Sequence, residues 1–494
     1  MKRIILIMTM MVPLFVWAQT ENDMYDISSK FYQGTAKSAA MGNAMGAVGS
    51  DFSSISINPA GLGLFRKATL TFTPEFYAIS TESGYKENNS SDRAFKMPMN
   101  NLGMTWTWEQ ETNDELLKTV SFAFGINSLN NYAYSSYVNG NNPNTSLIDA
   151  YFSEFGANGI TNNNILENYS PNSIYPLWQT YLIDFYDNGS YSSPVPQGGL
   201  NQQYGVTKSG RSRELTFASG FNIDDKLFLG LSVNIPYFRK STTNEYKERN
   251  LNYNDTFKNW TQQEYISNSG SGVNANLGFI VFPARWIRLG ASFHTPSLYK
   301  VTESWYTSTS SVFSDASYSY TSPTGTYTYT ITTPYRLNAS AALIFGNFGM
   351  ISGDYEFVDY RKMRASSYDY NYSNFNDFIR ETFSSTSNIR IGTEWRWQTL
   401  CFRAGYAIYG SPFGFDNENL RTNSYSCGLG YTYHRFTIDA AYVLSQRKNQ
   451  YDLYSKYSMY PANYGSENEF VDDTKVKETT SINQVVVSFK FRLD

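Results

Sequence analysis

Along most of its length the chain alternates apolar and polar positions with a period of two, the pattern of a β-strand whose two faces meet different surroundings. The last segment is the clearest case: Val485, Val487, Phe489, Phe491 and Leu493 share one face, while Gln484, Ser488, Lys490 and Arg492 share the other. In the segment before it, Phe436, Ile438, Ala440, Tyr442 and Leu444 oppose Arg435, Thr437 and Asp439. Ile389, Ile391, Trp395 and Trp397 likewise oppose Asn388, Arg390, Glu394 and Arg396. The alternation predicts strands near residues 68–79, 96–109, 118–131, 211–223, 226–245, 264–282 and 286–305, then 334–346, 349–363, 386–398, 400–410, 421–433, 435–450 and 481–493. These are fourteen segments, an even number that lets antiparallel strands close into a cylinder with both chain ends on one side. Connections at Asp224-Asp225, Phe282 to Arg285, Gly346-Asn347, Gln398-Thr399 and Tyr433-His434 are tight, whereas 247–262, 307–332, 365–385 and 451–479 are long and polar. Short turns belong on the periplasmic side of such a barrel and long loops outside. The longest connection, residues 132–210, carries two helix-like stretches: Leu147, Ile148, Tyr151, Phe152 and Phe155 share one face, as do Ile174, Leu177, Trp178, Tyr181, Leu182 and Phe185.

The amino terminus reads as an export signal. Lys2 and Arg3 precede an apolar run from Ile4 to Trp17, and Val16-Trp17-Ala18 offers a cleavage point before Gln19. The run falls short of the roughly 20 residues a helix needs to cross a bilayer. Without a Cys at the cut, the acylated start of a lipoprotein is not expected. Aromatic residues make up 17% of the chain, with 41 Tyr and 34 Phe, which suits a wall with lipid outside, water inside and aromatic girdles at both interfaces. A large secreted β-sandwich is the competing all-β reading. The formal net charge of -4 leaves no basic footprint for nucleic acid. Cys401 is in phase with lumen-facing Arg403, and Cys427 with lipid-facing Leu429 and Tyr431, so no disulfide is expected between them. The expected architecture is all-β: a 14-stranded antiparallel transmembrane β-barrel with an N-terminal plug. Its parts are a signal peptide over 1–18, a plug or hatch over 19–66, and a barrel over 67–494 with a long extracellular loop at 132–210.

Residues 19–66 lack strand alternation but hold a dense run of small residues, Gly34 to Gly49, interleaved with Met41, Met45 and Val48 and followed by Ile55, Ile57 and Leu62. Small residues suit tightly packed backbone, and the apolar set asks for burial, so this segment is expected inside the barrel. The run leads into Ser56-Ile57-Asn58-Pro59-Ala60-Gly61-Leu62-Gly63. This stretch resembles the hatch of the FadL-type family of outer-membrane transporters for fatty acids and other hydrophobic compounds. Further matches in style run through Ile287 to Pro296, Thr333 to Leu337 and Ile351 to Tyr360, covering nearly the whole mature chain. The resemblance implies a fourteen-stranded barrel closed by an N-terminal hatch, with ligand captured outside, moved to an inner pocket and released laterally through a gap in the wall. Two features depart from the family pattern: the longest outer loop joins the third and fourth strands, and the chain ends Phe491-Arg492-Leu493-Asp494 rather than on an aromatic residue.

Candidate chemistry is sparse. His294 and His434 are the two histidines, and no nucleophile elbow, paired-Cys or metal-ligand spacing is present, so no enzyme, no metal and no cofactor are expected. Asp354 and Glu356 point inward beside Ser352; an acid–base pair and a solvated lumen face both fit, and alternation already calls for the second. A haem-ligand role for His294 lacks a second placed His, and a pore-lining position accounts for it. In Asn58-Pro59-Ala60-Gly61, Pro fixes its own φ and biases Asn58 toward extended backbone, while Gly61 permits a sharp exit. Such a corner could plug a lateral opening or be an ordinary turn at the junction with the first strand. For an anionic amphiphile, an inward arginine must meet the carboxylate; Arg390 and Arg403 are the candidates, against pairing with Glu394, Asp354 or Glu356. Phe152 and Trp178 are candidates for collecting ligand at the outer surface, although helices that merely pack on one another would look the same. The expected function is passive, hatch-gated uptake of hydrophobic or amphipathic small molecules such as long-chain fatty acids through the bacterial outer membrane, by a monomer whose partners are that ligand and the surrounding lipid. The alternative is a non-transporting binding or adaptor barrel in a secretion or surface-protein complex.

Overall fold

The computed structural model describes residues 21–109, 116–155, 174–186, 188, 190–252, 254–414, 420–454 and 474–493; the expected signal peptide over 1–18 lies outside them. Among the described residues fourteen wall strands form one antiparallel barrel. They are β1 (Ala68–Tyr85), β2 (Asn88–Lys96 and Met99–Glu109), β3 (Leu117–Asn131 and Tyr134–Asn142), β4 (Leu200–Ile223), β5 (Leu227–Asn250), β6 (Phe257–Ala284) and β7 (Ile287–His294 and Leu298–Phe313). The second half holds β8 (Gly325–Thr332 and Arg336–Phe345), β9 (Gly349–Asp359 and Arg364–Ser366), β10 (Ser385–Trp397), β11 (Leu400–Tyr409), β12 (Thr422–Tyr433), β13 (Phe436–Asp452) and β14 (Lys475–Leu493). The first and last strands pair from Ala68↔Leu493 to Tyr85↔Val476, which closes the cylinder. Among the described residues five α-helices accompany the wall: α1 (Glu21–Ser28), α2 (Ala36–Ala40), α3 (Leu147–Phe155), α4 (Tyr175–Gln179) and α5 (Ser373–Thr382).

The alternation resolves into an apolar outside and a polar inside. On β5, Leu229, Leu231, Val233 and Ile235 are exposed to the membrane while Ser232 and Asn234 are buried within. Trp286, Phe348, Trp397 and Tyr433 stand exposed beside the tight turns, where aromatic rings anchor a barrel at the membrane interface. Three prolines, Pro98, Pro296 and Pro334, sit in the breaks of β2, β7 and β8, because a residue without N–H cannot extend the ladder.

Several strands run further outward than the alternation predicts. β4 starts at Leu200 and not near 211, β6 at Phe257 and not near 264, and β3 resumes over Tyr134–Asn142. The loop expected over 132–210 therefore shrinks to 143–199. Beyond the bilayer both strand faces meet water, so the two-residue period fades although the ladder continues. The second expected helix is also shorter: it ends at Gln179, Tyr181 takes a φ of 55°, and Asp184–Phe185 forms a short strand with Tyr191–Ser192.

Residues 21–66 lie in the bore, and their hydrogen bonds trace a path around the inner wall. The Ala36 N–H donates to Ser488 Oγ on β14 at 2.7 Å, Gly42 N–H to Ser426 Oγ on β12 at 3.2 Å, and Gly46 N–H to Asp354 Oδ2 on β9 at 3.0 Å. Arg288 on β7 donates to the Val48 carbonyl at 3.0 Å, and Asn58 donates to the Phe279 carbonyl on β6 at 3.1 Å. Where the two backbones meet, the wall carries glycine: Gly103, Gly125, Gly220, Gly230, Gly278, Gly290, Gly392, Gly405 and Gly428. A Cβ on Gly220 would lie 2.6 Å from the Gly63 nitrogen, one on Gly290 2.8 Å from the Gly46 oxygen, and one on Gly125 2.6 Å from the Phe52 ring. On Gly230 it would overlap the Pro59 backbone. Since overpacking by one side chain costs about 1–3 kcal/mol, Gly230→Val is expected to speed amide exchange in residues 58–63 by about tenfold or more while leaving the wall ladder protected; unchanged protection measured by hydrogen exchange would show that the plug does not press on this glycine.

Candidate functional site

The wall is not complete all the way up. From Asn101↔Asn127 to Glu109↔Thr119, β2 and β3 pair as neighbours. Further out, Asn88–Lys96 pairs with β1, and Tyr134–Asn142 pairs with β4, but no ladder joins these two outer segments. The cause is local. Pro98 interrupts β2 opposite a register shift at Thr73/Pro74, and β3 shifts register between Ser128 and Asn130 before breaking at Tyr132 and Ala133. Ser128, Leu129 and Asn130 are all buried, so alternation is lost where β3 turns inward.

The outer half of β3 then tucks beneath the β14–β1 sheet. Thr81 Oγ1 donates to the Ser135 carbonyl at 2.6 Å, Tyr134 and Ser136 hydroxyls donate to Glu478, and Val138 packs on Tyr85 and Val476. The outer edge of β2 is left unpaired by β3, with Asp92, Arg93 and Lys96 along it, the charged composition that discourages edge-to-edge association. On the membrane side of this breach Phe95 and Met97 are exposed. Behind it stand buried polar groups: Gln484 donates to Glu75 at 2.6 Å, Asn101 to Asn127 at 2.6 Å, and Asn127 in turn to Ser56 of the plug at 2.8 Å.

At its start the plug joins an apolar, largely aromatic cluster in which Met24 and Ile27 of α1 meet Phe238, Tyr299, Tyr329 and Tyr360, together with Phe375 and Ile379 of α5. Lys240, on the inner face of β5, pins α1 by ion pairs to Asp23 at 2.5 Å and to Asp26, and Lys208 adds a contact to Asp26 at 3.7 Å. Removing one partner of such a buried pair strands the other charge, so α1 is held by both greasy and ionic contacts.

The Asn58-Pro59-Ala60-Gly61 corner is tightly bonded. Asn58 is extended (φ -143°, ψ 106°), its Oδ1 accepts the Ala60 N–H at 3.1 Å, and its Nδ2 donates to Gly46 O at 2.8 Å. Pro59 opens a short 3-10 turn, and a Cβ on Gly61 would lie 2.9 Å from the Gly49 Cα. The four residues rest on β5 and β6, where the wall is continuously paired at Gly230↔Gly278. The corner therefore lies away from the breach, and the plug reaches the breach strands elsewhere: Phe31 N–H donates to the Leu129 carbonyl at 2.9 Å and Gln33 N–H to the Ser128 carbonyl at 3.2 Å, Phe52 packs against Gly103 and Gly125, and Ser56 accepts from Asn127. Loss of alternation over 128–131 together with Pro98 was the signal in the sequence for this site.

The arginines separate. Arg403 is held by Glu394 at 2.7 Å and Asp439 at 2.6 Å. Arg390 is fully buried, 3.5 Å from Glu356, 3.3 Å from Asn338 Oδ1 and 5.4 Å from the centre of the Tyr32 ring, with Nε and Nη1 unpaired among the described residues. Glu356 also accepts from Arg336 at 2.8 Å, and Arg336 donates to the Ser28 carbonyl at 2.6 Å, tying the plug to the wall. Asp354 and Glu356 are thus engaged in that attachment, and His294 Nε2 lies 2.9 Å from the Ile57 carbonyl. Phe152 and Trp178 belong to a separate outer cap, Phe152 against Tyr191 at 4.6 Å and Trp178 against Tyr175 at 5.4 Å, around Leu177, Tyr246 and Trp260. Cys401 is half-buried and Cys427 exposed, both as free thiols.

No family model and no curated protein sequence matches the chain. Solved structures do. A FadL homologue of Pseudomonas aeruginosa superposes with a TM-score of 0.55 at 12% identity, over 94% of this chain and 100% of that one. The toluene transporter TodX of Pseudomonas putida gives 0.51 at 12% identity, over 95% and 99%. Agreement over whole chains at so low an identity is agreement of fold, and the chain has the FadL-type fold: a closed fourteen-stranded barrel with its N-terminal segment inside.

Proposed function

We propose that this barrel is an outer-membrane channel for passive uptake of hydrophobic or amphipathic small molecules, among them long-chain fatty acids, and that it releases them sideways. The observation that carries this reading is the ladder lost between the outer halves of β2 and β3, the place where the scheme requires the bore to open toward the membrane, while the plug occupies the bore below it. A molecule that dissolves in lipid gains from a sideways exit, because it never has to cross water. An adaptor barrel would have no need of such an opening.

In this scheme Phe152 and Trp178 of the outer cap gather cargo, the aromatic cluster around α1 receives it, and α1 yields its place there. Arg390 and Arg403 line the lower chamber, with Arg390 the better placed to meet a polar head because two of its nitrogens lack partners among the described residues. Asn58, Pro59, Ala60 and Gly61 act as the hinge-free foot of the hatch, holding it to β5 and β6 while the region above changes. Breach, plug and cap all belong to one chain, so a monomer suffices.

Three outcomes are expected. Asn100→Trp places an indole where buried Asn100 backs the breach, and the initial rate of labelled oleate entry into proteoliposomes should fall at least about fivefold as the space fills; an unchanged rate in a correctly folded barrel would remove the sideways route. Pro59→Ala frees the foot of the hatch, and the same assay should show entry altered by about two- to fivefold, the size of effect expected from one relaxed backbone position. Identical rates would count against hatch control. Lys240→Met leaves Asp23 and Asp26 without their cation, so hydrogen exchange over residues 21–28 should rise by about tenfold or more, and protection equal to wild type would mean that the ion pairs do not hold α1.

A further inference from the structure

Beside the breach, three arginines stand close together with no carboxylate ion-paired to them among the described residues. On β4, Arg211 and Arg213 flank buried Ser212, and on β5 Arg239 stands between buried Phe238 and Lys240. The register sets Arg211 opposite Arg239 and Arg213 opposite Tyr237, so all three guanidinium groups leave the same outward face and two are direct cross-strand partners. Like charges in that relation destabilise an antiparallel pair. No ion pair joins any of the three to a carboxylate among the described residues; Arg213 Nη2 donates to the Met99 carbonyl on β2 at 3.3 Å, and its Nε is buried without a partner. Glu75, the carboxylate whose field reaches Arg211, is on the inner face of β1 and is taken by Gln484.

Their height on the barrel says what can supply the missing negative charge. Toward the short turns the outward positions are apolar: half-buried Leu215 and exposed Phe217 on β4, half-buried Tyr237 and exposed Ile235 and Val233 on β5. Beyond the arginines the outward positions turn polar, with Ser241 and Thr243 on β5. Lys300 on β7 shares the level through Ser271, which pairs with both Tyr237 and Lys300. The cations thus form an arc on the outer rim of the apolar belt, at the mouth of the breach, where lipid head groups lie. Arginine's planar fork suits the paired oxygens of a phosphate, and desolvation at the rim strengthens that bond.

We infer that Arg211, Arg213 and Arg239 bind the phosphate of an outer-leaflet lipid, whose chains lie against Phe217 and Ile235 and whose head group stands at the mouth of the breach. The site needs only the barrel's orientation in the membrane and not the identity of its cargo. It is tested by reconstituting the full chain in phosphatidylcholine nanodiscs containing a minor fraction of diphosphoryl lipid A, extracting it into mild detergent, and counting retained lipid A by native mass spectrometry. Wild type should retain it, and R211Q/R213Q/R239Q should retain about tenfold less, the order of loss expected when charge-assisted phosphate contacts are removed. Dephosphorylated lipid A should be retained no better by wild type than diphosphoryl lipid A is by the triple variant. R211K/R213K/R239K controls for charge alone and should lie between, since lysine lacks the fork. Should the triple variant fail the heat-modifiable mobility test of a folded barrel, exposed R239Q alone should give a partial loss. Equal retention by wild type and variants, equal retention of phosphorylated and dephosphorylated lipid, or displacement by excess inorganic phosphate would each overturn the lipid assignment.

Discussion

Inside a bilayer no water is present to satisfy a backbone N–H or C=O, and this constraint governs the molecule. It requires the strands to close, which they do through the β1–β14 ladder. It also decides where the wall can afford a gap. The inner halves of β2 and β3 are fully laddered, and the ladder is lost only above Asn101↔Asn127, where Thr81, Ser135, Ser136 and Glu478 take up polar groups of the displaced strand. A breach low in the belt would leave two strand edges facing hydrocarbon. One high in the belt, with its inner strand folded under a sheet, leaves a single edge near the interface.

The same backbone requirement shapes the plug. A segment without strands or long helices cannot satisfy itself, so residues 36–65 borrow partners from the wall: Ser488, Ser426, Asp354, Arg288 and the carbonyl of Phe279. Reaching those partners demands close approach, and close approach demands glycine on the wall side. The buried charges follow from this arrangement. Arg336, Glu356 and Arg390 occupy the interior because they tie two backbones together across the chamber, and Lys240 does so for α1. Such groups are weak sources of stability but strong selectors of one arrangement, since any other leaves a charge unpaired.

The strand count was legible because lipid and water face opposite sides of every strand in the belt, as in Val485 to Leu493. The outer reaches of β3, β4 and β6 were not, since water bathes both faces there. The plug's burial was legible from Met41, Met45 and Ile57 among small residues, and the extended backbone of Asn58 from the proline that follows it. Which part of the wall the corner would touch was not, because nothing local to residues 58–61 encodes β5 and β6. The wall glycines read in sequence only as gaps in alternation; their meaning depends on a partner far away in the chain, as Gly230 does on Pro59. Alternation placed Arg390 and Arg403 inward, yet the difference between them lies in which carboxylates the neighbouring strands happen to present.

In the proposed scheme the N-terminal segment fills the bore and the wall breach is the way out. Ion conductance across a planar lipid bilayer tests it most directly. The full chain should insert without opening a steady ionic pore, and deletion of residues 21–66 should convert the same barrel into a large, continuously open one. A wild-type barrel that already conducts like the deletion would contradict the account, because a bore open to ions would give cargo a straight path to the periplasm.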